Sequence, residues 1–226
     1  MSTAVIFDCD GVLVDSEVLA LEVELVALAG IGLAYERGAF QARFMGMSND
    51  AFFAALEKDS RIRRGAPLPP DFRDTCHARY HALLDTRLTE VAGAVSAIAS
   101  FTHPKAVASS SEAPALEKKL RKVGLWEHFA PHIYSADHVA RSKPAPDLFL
   151  HAAAALEVAP AACLVLEDSA NGVAGARAAG MRVWGFLGGG HMDEASAARL
   201  LAAGAERLVR DWEEAKPLLA AALGVS

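Results

Sequence analysis

The chain is expected to fold as an α/β protein, a Rossmann-like parallel sheet core flanked by helices and interrupted by an inserted all-helical cap domain. Three observations carry this expectation. Short apolar runs at residues 4–7, 106–108, 163–166 and 182–186 each end at a polar or Gly-rich turn. Helical patterns separate the later runs, as the crossovers between parallel strands require. Residues 16–88 break the rhythm, with helical patterns, no convincing strand and the breaker-rich loop "RRGAPLPP".

The elements follow in order. The first strand leads into "DCDG", and the insert begins at residue 16. The expected domains are 1–15 with 89–226 for the catalytic core and 16–88 for the cap. After the second strand, residues 112–123 place Leu116, Leu120 and Val123 at helical spacing and stop at Gly124. Pro146 suits a first helical turn, so residues 147–156 continue as a helix. The Ala/Leu-rich stretches 195–203 and 212–223 complete the helical layers. The basic run Lys118, Lys119, Arg121 and Lys122 lies on the helix after the second strand and is read as a solvated face.

Composition narrows the function classes. With 226 residues the chain has ample core for independent folding. A net charge of −6 supplies no basic excess for counterion release, so no nucleic-acid partner is expected. No apolar run approaches the ~18 residues of a membrane span, so no membrane partner is expected either. Met1 is followed almost at once by a strand, with no basic segment, so no signal peptide is expected. Three scattered cysteines, Cys9, Cys76 and Cys163, lack CxxC spacing and suit reduced thiols in a cytoplasmic protein. A monomer or small homo-oligomer is expected.

In an open parallel sheet, polar groups at the carboxyl ends of strands converge on one crevice. Asp8, Asp10, Ser109, Glu167 and Asp168 all stand at such ends, and Lys143 in the loop "RSKPAP" is placed to join them. Four carboxylates together need a cation, and hard oxygen ligands favour Mg²⁺. A metal, a lysine and a small hydroxyl make a cradle for a phosphoryl group, and a neighbouring carboxylate can serve as nucleophile.

The four segments "DCDGVLVDSE", the serine after "AVA", "KPAPDLF" and "VLEDSANGVAGARAAGM" resemble, in order and spacing, the motifs of the haloacid dehalogenase-like hydrolase superfamily. The helical insert is similar to the cap of its β-phosphoglucomutase-like and sugar-phosphatase branch. The resemblance implies an Mg²⁺-dependent phosphatase that works through an aspartyl-phosphate. Asp8 would be the nucleophile and Asp10 the acid and base. Asp8, the Asp10 carbonyl, Asp168 and Glu167 would serve the metal, with Glu167 in direct contact or one step removed. Ser109 and Lys143 would bind the transferring oxygens, with Gly11 and Ser110 beside them. Gly11 would turn the chain so that backbone amides face the phosphate.

The resemblance also bears on the rivals. Asp10 argues against the dehalogenase branch, which lacks that carboxylate. A sugar phosphomutase carries a hinge histidine where this chain reads Val18-Leu19-Ala20, so hydrolysis is preferred; a mutase, or a non-catalytic binder of a phosphorylated metabolite, remains the alternative. The expected partner is a small phosphorylated sugar, sugar acid or polyol. Its selection should lie in the insert, at Arg43, Gly46 and Asn49 of "RFMGMSND" and at Arg79. Arg79 is placed in an apolar ladder with Phe72, Cys76 and Leu83, either snorkelling at its edge or reaching the substrate.

Overall fold

A computed structural model describes residues 3–44, 47 and 49–224. The chain divides into two compact units, one formed by the segment ending at Glu17 together with everything from Leu88 onward, the other by Val18–Arg87. Six strands follow in chain order: β1 (Ala4–Phe7), β2 (Lys105–Ala108), β3 (Ile133–Tyr134), β4 (Cys163–Glu167), β5 (Arg182–Phe186) and β6 (Arg207–Val209). The helices are α1 (Ser16–Gly30), α2 (Arg37–Phe44), α3 (Asn49–Arg64), α4 (Phe72–Arg87), α5 (Ala94–Ala99), α6 (Ala113–Lys122), α7 (Trp126–Phe129), α8 (Asp147–Ala155), α9 (Ala170–Ala178), α10 (Glu194–Ala203) and α11 (Trp212–Leu223).

In the larger unit the strands form one parallel sheet in the order β3-β2-β1-β4-β5-β6. Two short edge strands, β3 and β6, were not legible as apolar runs. β3 has two residues and β6 opens on Arg207, so neither is long enough to show a pattern. Alternation along β1 sends Ala4 and Ile6 to one face, where they join Val165, Val183, Phe149 and Val173 in a buried cluster. Phe7 points the other way, with its ring 5.7–5.9 Å from those of Phe101, Phe129 and Trp212. The indole of Trp212 donates to the Val12 carbonyl at 2.9 Å, which ties α11 to the turn after β1. The sheet is therefore covered on both faces, as an all-parallel sheet must be.

All secondary structure among the smaller unit's described residues is helical. Leu28, Phe40, Phe44, Phe52, Leu56 and Phe72 form its core. Its apolar stripe on α4 runs through Phe72 and Cys76 and then to Tyr80, Leu83 and Leu84. This corrects the ladder drawn through Arg79. The helix advances about 3.6 residues per turn, so the stripe passes beside Arg79 and leaves it exposed. No helix among the described residues is long and apolar enough to cross a membrane.

All three cysteines are buried and unpaired by disulfides. Burial pushes the Cys163 thiol up to about 11. A thiol raised in the folded state stabilises the fold below its ordinary value near 9 and loses that contribution as pH rises through 11. Two outcomes are expected. A disulfide-exchange reagent at pH 8 should find no fast-reacting thiol in the native protein and three in urea, and native stability should fall between about pH 9 and 11. Replacing Phe7 by Ala should cost the larger unit ~3–5 kcal/mol, read from urea unfolding followed by tryptophan fluorescence.

Candidate active site

The carboxyl ends of β1, β2 and β4 are neighbours in the sheet, and the polar residues that follow them meet there. β1 delivers Asp8, then the chain turns back at once, with the amides of Leu13 and Val14 donating to the Cys9 carbonyl at 2.9 and 3.0 Å. Gly11 makes this turn at φ +80, and a β-carbon there would run into the Asp168 carboxylate and the His191 ring. Cys9, between the two aspartates, is fully buried.

Each aspartate of "DCD" has its own cation. Lys143 Nζ lies 2.5 Å from Asp8 Oδ1 and 2.5 Å from Glu167 Oε1, with its side chain 4% exposed. The same ammonium sits 5.0 Å from the centre of the Phe149 ring, which holds its stem in place. Glu167 is fully buried at the end of β4, and its second oxygen accepts 2.9 Å hydrogen bonds from the Ser169 amide and hydroxyl. Ser169 also caps α9 by accepting from the Gly172 amide. A β-carbon on Gly172 would overlap the Glu167 carboxylate, so glycine is what lets α9 start against this side chain.

Asp10 is held by a separate set of donors. Lys119 Nζ donates to Oδ1 at 2.5 Å, and the Ser16 hydroxyl binds the same oxygen. Ser111 donates to Oδ2 at 2.8 Å and Ser109 at 3.3 Å. Lys119 also donates to Ser111 Oγ at 2.9 Å.

The two aspartates differ accordingly. Burial pushes the Asp8 carboxyl well above the usual range; Lys143 acts against this, while Glu167, Asp168 and Asp10 add to it. Burial acts upward on Asp10 too, yet Lys119, Ser16 and Ser111 together bring it below its ordinary value. Asp168 is raised, chiefly by burial, despite His191 Nε2 at 3.3 Å from its Oδ2.

Oxygens of Asp8, Glu167 and Asp168 lie within 4.8 Å of one another. Three carboxylates at that spacing, two of them raised by crowding and burial, suit a hard divalent cation. An all-oxygen set favours hard ions over zinc or copper.

Asp8, Asp10, Ser109, Glu167, Asp168, Lys143 and Gly11 thus stand together at one end of the sheet. Ser110 is exposed, and its Oγ accepts from Ser142 at 3.1 Å. In the helical unit, Arg43 pairs with buried Asp59, which also accepts from Tyr35 at 2.7 Å. Asn49 opens α3, Arg79 is exposed, and Gly46 lies outside the described residues.

Four residues escaped the sequence reading: Lys119, Ser111, Ser16 and His191. Lys119 does not belong to a solvated face: it is 3% exposed and correction is required there. Its spacing carried the signal, because Leu116, Lys119 and Leu120 follow i, i+3, i+4, the buried stripe of α6, with half-buried Val123 at i+7 just past its end. Ser111 carries no mark in the sequence, and only the return of the chain toward Asp10 reveals its bond. His191 is 4% exposed, placed beside Asp168 by the loop after β5, and no motif spacing marks it.

The Gly172 contact predicts a specific non-additivity. Gly172→Ala should destabilise the protein by ~1–3 kcal/mol. Combined with Glu167→Ala, which removes the clashing carboxylate, the loss measured by urea unfolding should be smaller than the sum of the two single losses.

Comparison with known proteins agrees with this geometry. Residues 3–180 match the family of haloacid dehalogenase-like hydrolases. The chain is 34% identical over 180 residues to fructose-1-phosphate phosphatase of Escherichia coli (strain K12), covering 78% of this chain and 92% of that protein. It is 28% identical over 189 residues to 6-phosphogluconate phosphatase of the same organism, covering 83% and 84%. Among solved structures, a conserved haloacid dehalogenase-like protein of unknown function from Agrobacterium tumefaciens str. C58 superposes with a TM-score of 0.90. It is 38% identical, with 98% of this chain and 99% of that chain covered. The strand order, the carboxylates at the ends of β1 and β4 and these likenesses together make the chain a member of the haloacid dehalogenase-like hydrolase family.

Proposed function

We propose that the protein is an Mg²⁺-dependent phosphomonoesterase that releases phosphate from a small phosphorylated sugar, sugar acid or polyol through an aspartyl-phosphate. The observation that carries this reading is the division between the two aspartates. Asp8 faces the candidate metal cluster, while Asp10, two residues on, is held apart by Lys119 and three serines. The named activities of the Escherichia coli relatives, on a sugar phosphate and a phosphorylated sugar acid, support the substrate class.

In this reading a carboxylate oxygen of Asp8 attacks phosphorus in line with the ester oxygen. The phosphorus–oxygen bond to the alcohol breaks, and the departing oxygen takes a proton from Asp10. Asp10 then takes a proton from water, whose oxygen attacks phosphorus and returns the bonding pair to Asp8. Lys143 and Ser109 bind the non-bridging oxygens. Charge stabilisation of this kind is most of what phosphoryl transfer demands. Asp8, Asp168, Glu167 and the Asp10 carbonyl would hold Mg²⁺. The ion, when bound, neutralises charge on the phosphoryl group. Residues of the helical unit, Arg43, Gly46, Asn49 and Arg79 among them, are candidates for selecting the substrate.

The test is release of inorganic phosphate across a panel of sugar, sugar-acid and polyol phosphates. Wild type should release phosphate only with Mg²⁺, and chelation should abolish turnover. Asp8→Asn should be inactive, and Asp10→Asn should lose ~10²–10⁴-fold in turnover of an alkyl phosphate. Activity that survives Asp8→Asn or chelation contradicts the mechanism. Isomerised sugar phosphate without free phosphate would instead identify a mutase.

A further inference from the structure

We propose that Lys119 is a positioning residue that sets the Asp10 carboxylate in place from within the larger unit, so that the phosphorylated enzyme is hydrolysed as soon as it forms. The inference rests on the reading of Asp10 as acid and base given above. Its ground is the geometry around Asp10. Both carboxylate oxygens are occupied: Lys119 and Ser16 bind Oδ1, and Ser109 and Ser111 bind Oδ2. Lys119 also bonds Ser111, so ammonium, hydroxyl and carboxylate close a triangle that fixes the rotamer of Asp10. All these residues belong to the larger unit, and none comes from Val18–Arg87.

Placing an ammonium here is costly. Lys119 has a side chain only 4% exposed and occupies the apolar stripe of α6 between Leu116 and Leu120. Replacing a whole buried ion pair by apolar groups is often neutral or stabilising, so packing alone does not call for a charge in this stripe. The lysine is therefore explained by what it holds, not by packing. A base whose rotamer is pre-set in this way needs no swing of its side chain before it acts; Ser109, the longest of the four contacts at 3.3 Å, frees a site on Oδ2 when its hydroxyl turns to the phosphoryl group, and a proton from water takes that site. That arrangement suits a hydrolase, whose phosphorylated intermediate should be short-lived.

The two chemical steps separate the roles. With 4-nitrophenyl phosphate the leaving group departs without a proton, so formation of the Asp8 phosphate makes little demand on Asp10. Hydrolysis of that intermediate still needs a proton taken from water. Loss of Asp10 positioning should then slow only the second step.

The experiment is rapid-quench and stopped-flow turnover of 4-nitrophenyl phosphate with Mg²⁺ by wild type, Lys119→Met, Ser111→Ala and Asp10→Asn. Lys119→Met should show a burst of nitrophenolate approaching one per enzyme, followed by turnover lowered roughly 10²-fold, with hydroxylamine-labile phosphate on the protein. Wild type should show no burst. A merely structural lesion, or a lysine that binds the phosphoryl group directly, lowers both steps and gives none; that result overturns the inference. If circular dichroism shows Lys119→Met unfolded, Ser111→Ala decides, a smaller burst supporting the inference and its absence overturning it. Asp10→Asn is the control for the underlying reading. A burst there without one in folded Lys119→Met refutes the role of Lys119 alone. No burst in Asp10→Asn refutes the role of Asp10 as base, and the inference falls with it.

Discussion

Crowding Asp8, Asp10, Glu167 and Asp168, two of them buried and two largely shielded from water, at one end of a sheet is the constraint on which the rest of this structure depends. Carboxylates out of water and near one another are unfavourable unless cations or donors compensate them. Lys143 pairs with Asp8 and Glu167, Lys119 with Asp10, and His191 faces Asp168. Oxygens of Asp8, Glu167 and Asp168 still crowd within 4.8 Å of one another, a deficit of positive charge that a divalent ion would fill. The raised Asp8 and Asp168 carboxyls express the same deficit, since burial and mutual repulsion resist their ionisation. Asp10, with its own lysine and hydroxyls, does not share it.

The fold meets this constraint by topology. β1 lies between β2 and β4, so three strand ends converge without a long loop. The helix that follows each strand then contributes. α6 returns Lys119 to Asp10, and α9 begins close enough to Glu167 that only glycine fits at position 172. The loop before α8 brings Lys143 between Asp8 and Glu167. Core packing and site electrostatics are thus served by the same elements, because the helices that cover the sheet also carry the compensating groups.

Most of this was legible in the sequence for an identifiable reason. Strand ends announce themselves as apolar runs stopping at polar residues, and a parallel sheet sends all such ends to one side. Asp8, Asp10, Ser109, Glu167 and Asp168 were readable on that basis, and Lys143 by its motif. Lys119 was misread because a basic run looks like a solvated face when charge is weighed before helical phase. Phase was the better guide there, and also at Arg79, which the stripe of α4 bypasses. Ser111 and His191 depend on long-range returns of the chain and leave no periodic trace. β3 and β6 were too short to register.

Binding of Mg²⁺ by the substrate-free protein, measured by isothermal titration calorimetry, tests the charge argument most directly. The account predicts one ion per chain, with binding lost in Asp168→Ala and an accompanying rise in thermal stability seen in wild type only. Absence of binding to the wild type, or equal binding by the Asp168→Ala variant, would contradict it.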